Sequence, residues 1–128
     1  MKFAGLFVGV AALAAVGAAA TTASAAGADP AKGKTVFARC VACHDLNTGK
    51  TLLGPSLKGV MGRKSGSVAN FAYSPAMKGK AVTWNASTLD AFLTAPMKYV
   101  PGTRMPFAGI PNAQDRADLI AYLQQSAK

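Results

Sequence analysis

Cys40-Val41-Ala42-Cys43-His44 holds both cysteines and the single histidine of this 128-residue chain. C-x-x-C-H is the attachment pattern of a c-type haem. The two thiols can add across the porphyrin vinyl groups, and the adjacent imidazole can bind the iron. Residues i and i+3 share one face of a helix, so Cys40 and Cys43 can reach one edge of the macrocycle. Three other chemistries fit less well. A thioredoxin-type C-x-x-C needs a strand–helix–strand setting, and no strand-like run precedes Cys40. A structural zinc site needs four N/S ligands, and Cys and His supply three here. A disulfide across three residues of a helix would be strained.

With His44 as proximal ligand, no histidine remains for a second axial position or for acid–base work. A sixth ligand must then be Met, Lys, Tyr, water or nothing. The methionines beyond the N-terminal region are Met61, Met77, Met97 and Met105. Met105 follows Pro101 and Gly102 and precedes Pro106. Prolines stiffen a loop by reducing its unfolded-state freedom, and a neutral thioether needs a rigid support to stay bound. Met105 is therefore the candidate metal ligand with His44. Met61, Met77 and Met97 lack such a setting and are expected to fill core space.

Those residues need a scaffold, and the N-terminal part is not expected to belong to it. Met1-Lys2 precedes an apolar run from Phe3 to about Ala20, and Ala23-Ser24-Ala25 has the small-residue cleavage pattern. This reads as a secretory signal peptide over residues 1–25, removed on export. A membrane anchor is the competing reading, but the run is mostly Ala and Gly and lacks a flanking stop-transfer charge cluster. Export agrees with haem attachment outside the cytoplasm, and a bacterial periplasm is the expected location. Residues 26–128 then form one domain.

The charge is lopsided. The chain has 14 Lys and Arg against 5 Asp and no Glu, a formal net charge of +9. Such a surface attracts acidic partners. Nucleic acid is the obvious alternative, but the cations are dispersed and no nucleic-acid motif is present.

Asp29 is a good N-cap and Pro30 suits the first helical position. The first helix is expected from Pro30 to about Val41, carrying the cysteines. Gly33, Phe37 and Cys40 share a face, and an interior glycine there asks for a close-packing reason. Residues 45–67 are rich in turn-forming glycines, with Leu52, Leu53, Leu57 and Val60 as apolar anchors. A short turn is expected near Ser74–Lys78. A second helix should run from Ala86 to Thr94 after Asn85, with Leu89, Phe92 and Leu93 inward and Pro96 as its stop. A last helix should follow Asn112 and end near Gln125, burying Leu119, Ile120 and Leu123 with Ala113 and Ala117 nearby. The expected fold class is all-α, with three main helices and long loops.

Several stretches together resemble the soluble class I cytochromes c. They are G-P-S-L-K-G-V-M-G-R-K-S-G at residues 54–66, V-T-W at 82–84, Y-V-P-G-T-R-M-P-F-A-G-I at 99–110 and R-A-D-L-I-A-Y-L at 116–123. The resemblance covers essentially all of residues 26–128. It implies one covalent haem c wrapped by the loops, with His44 and Met105 as axial ligands. It implies that the Pro55 carbonyl accepts a hydrogen bond from the His44 ring. Tyr73, Trp84 and Thr103 match positions that reach a haem propionate, with Arg63 offsetting its charge. Gly33, Phe37, Leu119 and Tyr122 match a crossing of the first and last helices. Two departures stand out: Met77 and Phe92 replace polar residues that mitochondrial members, or many members, carry near the haem.

The function this implies is a diffusible one-electron carrier and not an enzyme. Its donor would be a quinol-oxidising cytochrome bc complex. Its acceptor would be a terminal oxidase or photosynthetic reaction centre. The expected state is a monomer that meets the acidic faces of these membrane complexes transiently. Candidate docking cations are Lys34, Arg39, Lys50, Lys98 and Arg104. A peroxidase or gas-binding protein would need an open sixth site and distal acid–base groups, and the chain has no spare His and no Glu. A relay subunit fixed to one dehydrogenase is the other alternative.

Overall fold

The structure is a computed structural model that describes residues 5, 9–15, 17 and 27–128. The Ala23-Ser24-Ala25 pattern of the expected leader lies outside the described residues. Among the described residues no helix is long and apolar enough to cross a membrane.

Among the described residues five helices follow one another: α1 (Pro30–Phe37), α2 (Pro75–Gly79), α3 (Ala86–Thr94), α4 (Pro96–Tyr99) and α5 (Ala113–Ser126). Their starts are set by local chemistry. The Asp29 carboxylate accepts from the Ala31 and Lys32 amides at 2.9 and 3.4 Å. Asn85 and Thr88 cap α3 reciprocally, each side chain accepting from the other's backbone N–H. Asn112 caps α5 through the Asp115 amide. Ser74 caps α2.

Two boundaries differ from expectation. The regular part of α1 stops at Phe37, not near Val41. Beyond it the Ala38, Arg39 and Cys40 amides turn to carbonyls three residues back, the tightening common at helix ends. The cysteines therefore ride on turns after the helix. In such a tight turn residues i and i+3 eclipse, so Cys40 and Cys43 keep a common side. Pro96 does more than stop α3, because it also opens α4 at its first position.

α1 and α5 cross where Gly33 is buried. A Cβ at Gly33 would run into the Asp118 carbonyl and lie 2.8 Å from Tyr122 Cβ. The missing side chain lets the two backbones touch, and Phe37 meets Tyr122 with ring centroids 5.6 Å apart. Asp118, only 2% exposed, fastens the same crossing. Its carboxylate accepts from the Asp29 amide at 2.8 Å and from Gln114 at 2.9 Å. Sequence patterning marks Leu119, Ile120 and Leu123 as the inner face, and they are 1, 6 and 4% exposed. It gives no sign that the acid beside them is buried too. Ala113 is exposed and Ala117 half-buried.

No strand forms among the described residues, but one antiparallel bridge joins Lys64 to Thr83. Around it, the Trp84 amide donates to the Arg63 carbonyl at 2.9 Å and the Gly62 amide to the Trp84 carbonyl at 2.7 Å. This pairing sets Arg63 and Trp84 side by side. The loop of residues 45–67 is anchored unevenly. Val60 is buried and Leu57 packs against the core, whereas Leu52 and Leu53 are 45 and 81% exposed. The expected anchoring by those two leucines is absent. Met97 is also not core filler, being 59% exposed on α4.

Two predictions follow from these packing details. Ala81, just beyond α2, has φ +52°, a left-handed conformation that glycine adopts without penalty. Ala81→Gly should raise stability by about 1 kcal/mol, read as a higher urea midpoint at unchanged slope. The Asp29 amide, with Gln114, holds the Asp118 carboxyl below its ordinary pKa, and Lys32 adds to the effect. A depressed carboxylate stabilises the fold above its unfolded pKa of about 3.9 and stops doing so as pH falls through its folded value. Asp118→Asn should therefore lower the urea midpoint at neutral pH, with the gap closing in acid; a constant gap would refute this coupling.

Candidate functional site

A cavity of about 570 Å³ lies inside the fold. The turns after α1 bring Cys40, Cys43 and His44 to one wall. The loop after α4 brings Thr103 and Met105. Pro55, Arg63, Tyr73 and Trp84 complete the set, so all nine site residues expected from the sequence line one space. Most of the remaining wall is apolar, including Phe37, Leu89, Phe92, Leu93, Leu119 and Leu123. The volume falls within the roughly 300–1,000 Å³ typical of small-molecule sites.

The His44 ring is fixed from two sides. Its Nδ1 lies 2.7 Å from the Pro55 carbonyl. A carbonyl only accepts, so Nδ1 carries the proton and Nε2 keeps its lone pair. Burial pushes the imidazole pKa down; the Pro55 bond opposes this and the Arg63 charge adds to it. Gly54 packs on the ring, and a Cβ there would come within 2.5 Å of Cε1 and 2.9 Å of Nδ1. The Gly54 amide in turn donates to the Cys43 carbonyl at 2.8 Å. Sequence reading marks Gly54 only as a turn former; the close approach depends on a residue ten positions away and has no local signature.

Cys40 and Cys43 are not joined to each other. Burial raises the Cys40 thiol pKa, with Arg39 opposing and Cys43 reinforcing. Met105 is half-buried. Its loop is braced by the Thr103 amide donating to Val100 at 3.0 Å and the Phe107 amide donating to Met105 at 2.9 Å. Met77 also lines the cavity, whereas Met61 and Met97 do not.

The polar groups on the wall are incompletely matched by protein. Arg63 Nη1 donates to the Lys58 carbonyl at 3.1 Å. Among the described residues, Arg63 Nε is the one buried side-chain polar atom without a hydrogen-bond partner. Burial also lowers the Arg63 pKa, a cost that Tyr73 partly offsets. An unpaired buried donor on a cation calls for an anion. The Tyr73 oxygen accepts from the Val68 amide at 3.1 Å, which leaves its hydroxyl hydrogen free to donate. This donor set fits the acid side chains of a haem. The thiols, the Nε2 lone pair and the apolar walls fit its vinyl edge, iron and ring.

Of the candidate docking cations, Arg39 and Arg104 line the cavity and are exposed. Lys34, Lys50 and Lys98 are exposed but stand away from it.

Comparison with known proteins agrees with this chemistry. The family profile described as cytochrome c matches residues 30–127. Cytochrome c2 of Rhodoblastus acidophilus is 49% identical over 98 residues, covering 76% of this chain and 92% of that protein. Cytochrome c2 of Rhodomicrobium vannielii is 49% identical over 115 residues, covering 87% and 91%. The solved structure of cytochrome cH from Methylobacterium extorquens superposes with a TM-score of 0.73 at 42% identity, covering 77% of this chain and 99% of that one. The chain belongs to the cytochrome c family: an all-α class I fold and a haem-binding electron carrier, whose covalent haem c is matched by the spacing of Cys40 and Cys43.

Proposed function

We propose that this chain is a periplasmic one-electron shuttle with His44 and Met105 as the axial ligands of its haem iron. It would carry electrons from a quinol-oxidising cytochrome bc complex to a terminal oxidase or photosynthetic reaction centre. The observation that carries the reading is the shared cavity of Cys40, Cys43, His44 and Met105, with Nδ1 of the only histidine committed to Pro55 at 2.7 Å. The bound haem supplies a metal that gains or loses one electron.

The chain's own residues do the rest. Cys40 and Cys43 would tether the ring covalently, which would keep the cofactor with the carrier through each encounter. The Pro55 carbonyl fixes the tautomer and orientation of His44 and makes its free nitrogen a better ligand. Met105, on a proline-braced loop, would supply the second ligand. With His44 and Met105 both bound, small molecules would find no open coordination site. A Met/His pair raises the potential, and apolar walls such as Phe92 and Met77 keep the site poorly hydrated. Arg63, Tyr73, Trp84 and Thr103 provide charge and donors for the propionates, which would otherwise be costly to bury. Periplasmic location is supported by the leader-like composition of residues 1–25 and by the attachment motif.

Two variants test the ligand assignment. Ferric protein should show a thioether-to-iron charge-transfer band, and Met105→Ala should abolish it and lower the reduction potential. A band that survives in Met105→Ala would remove Met105 as the ligand. Gly54→Ala should force the His44 ring aside, because the added Cβ would lie 2.5 Å from Cε1 and 2.9 Å from Nδ1. A destabilisation of about 1–3 kcal/mol is expected, with a weakened charge-transfer band in the same sample. Wild-type stability and spectrum in Gly54→Ala would show that the ring is not held as described.

A further inference from the structure

We infer that Lys80 is a positioning residue for Met105. Its ammonium lies over the Tyr99 ring, 4.1 Å from the centroid, and this stack holds the chain that enters the Met105 loop. The inference rests on Met105 being an axial ligand, and it names what keeps that ligand in place besides its own prolines.

The entry to that loop needs support. α4 has four residues, and no side chain caps its start. A helix that short does not hold itself together. From Tyr99 the chain passes through buried Val100 and Gly102 (φ +91°) to Met105. The Tyr99 ring meets two walls of the cavity, with centroids 6.2 Å from Phe92 and 6.5 Å from Trp84. Lys80 adds a cation to this aromatic group. It is half-buried, and among the described residues the one salt bridge joins Arg116 to Asp90. The Lys80 ammonium therefore has no carboxylate partner, and its partner is the ring. A cation over an aromatic face is drawn to the ring quadrupole, more strongly as the pair is desolvated.

Lys80 can hold Tyr99 only if its own backbone is fixed. Ser74 caps α2, its hydroxyl accepting from the Met77 amide at 3.1 Å. The Lys80 amide donates to the Met77 carbonyl at 3.3 Å. Beyond it, the Val82 amide donates to Ser65 Oγ at 3.0 Å, and the Val82 carbonyl accepts from the Ser65 amide at 2.8 Å. α2 also packs on Gly66, where a Cβ would come within 3.0 Å of Lys78 Cα. From this base α2 approaches the ligand loop twice. A Cβ at Gly102 would lie 3.2 Å from Ala76 Cβ, and Lys80 covers Tyr99. The first contact is a methyl group against backbone. The second depends on one charge, which a substitution can remove with no change of backbone.

The consequence is readable as ligand exchange. An added base such as imidazole reaches the iron only in molecules whose Met105 has left it. Its apparent affinity is its intrinsic affinity scaled by that open fraction. The stack on Tyr99 belongs to the closed form, so losing the ammonium enlarges the open fraction and strengthens imidazole binding. Lys80 touches neither the cavity nor the ligand, so the closed iron site keeps its spectrum. A purely structural lysine would change global stability and leave the exchange constant alone.

The test titrates the full haem-loaded ferric protein with imidazole and follows loss of the charge-transfer band, with a urea midpoint measured on each sample. Lys80→Met keeps an aliphatic stem and removes the charge. It should raise imidazole affinity roughly two- to fivefold, with the band of the imidazole-free protein unchanged. Lys80→Arg should restore most of the wild-type affinity, because a guanidinium also stacks on a ring face. Lys78→Met, at an exposed lysine of the same helix, should leave the affinity unchanged. Tyr99→Phe should keep the response to Lys80→Met, and Tyr99→Leu should abolish it. Wild-type imidazole affinity in Lys80→Met, whatever its urea midpoint, would overturn the inference while leaving Met105 as the ligand. An undiminished effect of Lys80→Met in the Tyr99→Leu background would overturn it too, since the ring would not be the partner. Survival of the band in Met105→Ala would remove the ligand reading, and this inference with it.

Discussion

Phe37, Trp84, Leu89, Phe92, Leu119 and Leu123 are at once the buried core of this protein and the walls of its cavity. Core and site cannot be varied independently, because packing that holds the helices together also shapes the space for the cofactor. A domain of this size has limited apolar area with which to offset chain entropy. Gathering its best apolar side chains around one large planar group solves both needs. The helices are few and short for the same reason: long loops can follow the outline of a plate more closely than straight rods can.

Within that shell, the geometry of the site depends on a small number of close approaches. Gly33 lets α1 touch α5, which sets the direction in which the chain leaves α1 toward Cys40. Gly54 lets a loop backbone lie against the His44 ring, and Pro55 then receives the Nδ1 proton at 2.7 Å. A methyl group at either place would have to displace backbone or ring. The His44 imidazole is thus oriented by shape as much as by its hydrogen bond, and the two constraints come from adjacent residues.

Charge is divided with the same economy. Carboxylates are used as caps, ties and a buried fastener, and none lines the cavity. Arg63 is drawn partly inside with an unpaired Nε. That arrangement is unfavourable without an anion nearby and favourable with one. Lys80 and Arg116 are also half-buried, and the other described cations are exposed, where they give the molecule one sign of field.

Much of this was written locally in the chain. The attachment motif needs only five consecutive residues, and helix caps need three or four, so Asp29, Asn85 and Asn112 identify their helices without tertiary information. The proline-braced setting of Met105 is local too, and the resemblance in residues 54–66, 82–84 and 99–110 extended the candidate site to Pro55, Arg63, Trp84 and Thr103. Tertiary structure decided what depends on residues far apart in sequence. It ended α1 at Phe37 and carried the cysteines on tighter turns. It opened α4 at a proline that reads as a stop. It buried Asp118 under the Asp29 amide, left Leu52, Leu53 and Met97 in the open, and put Gly54 against an imidazole. Burial and close contact are properties of two surfaces meeting, and a single stretch of chain carries only one of them.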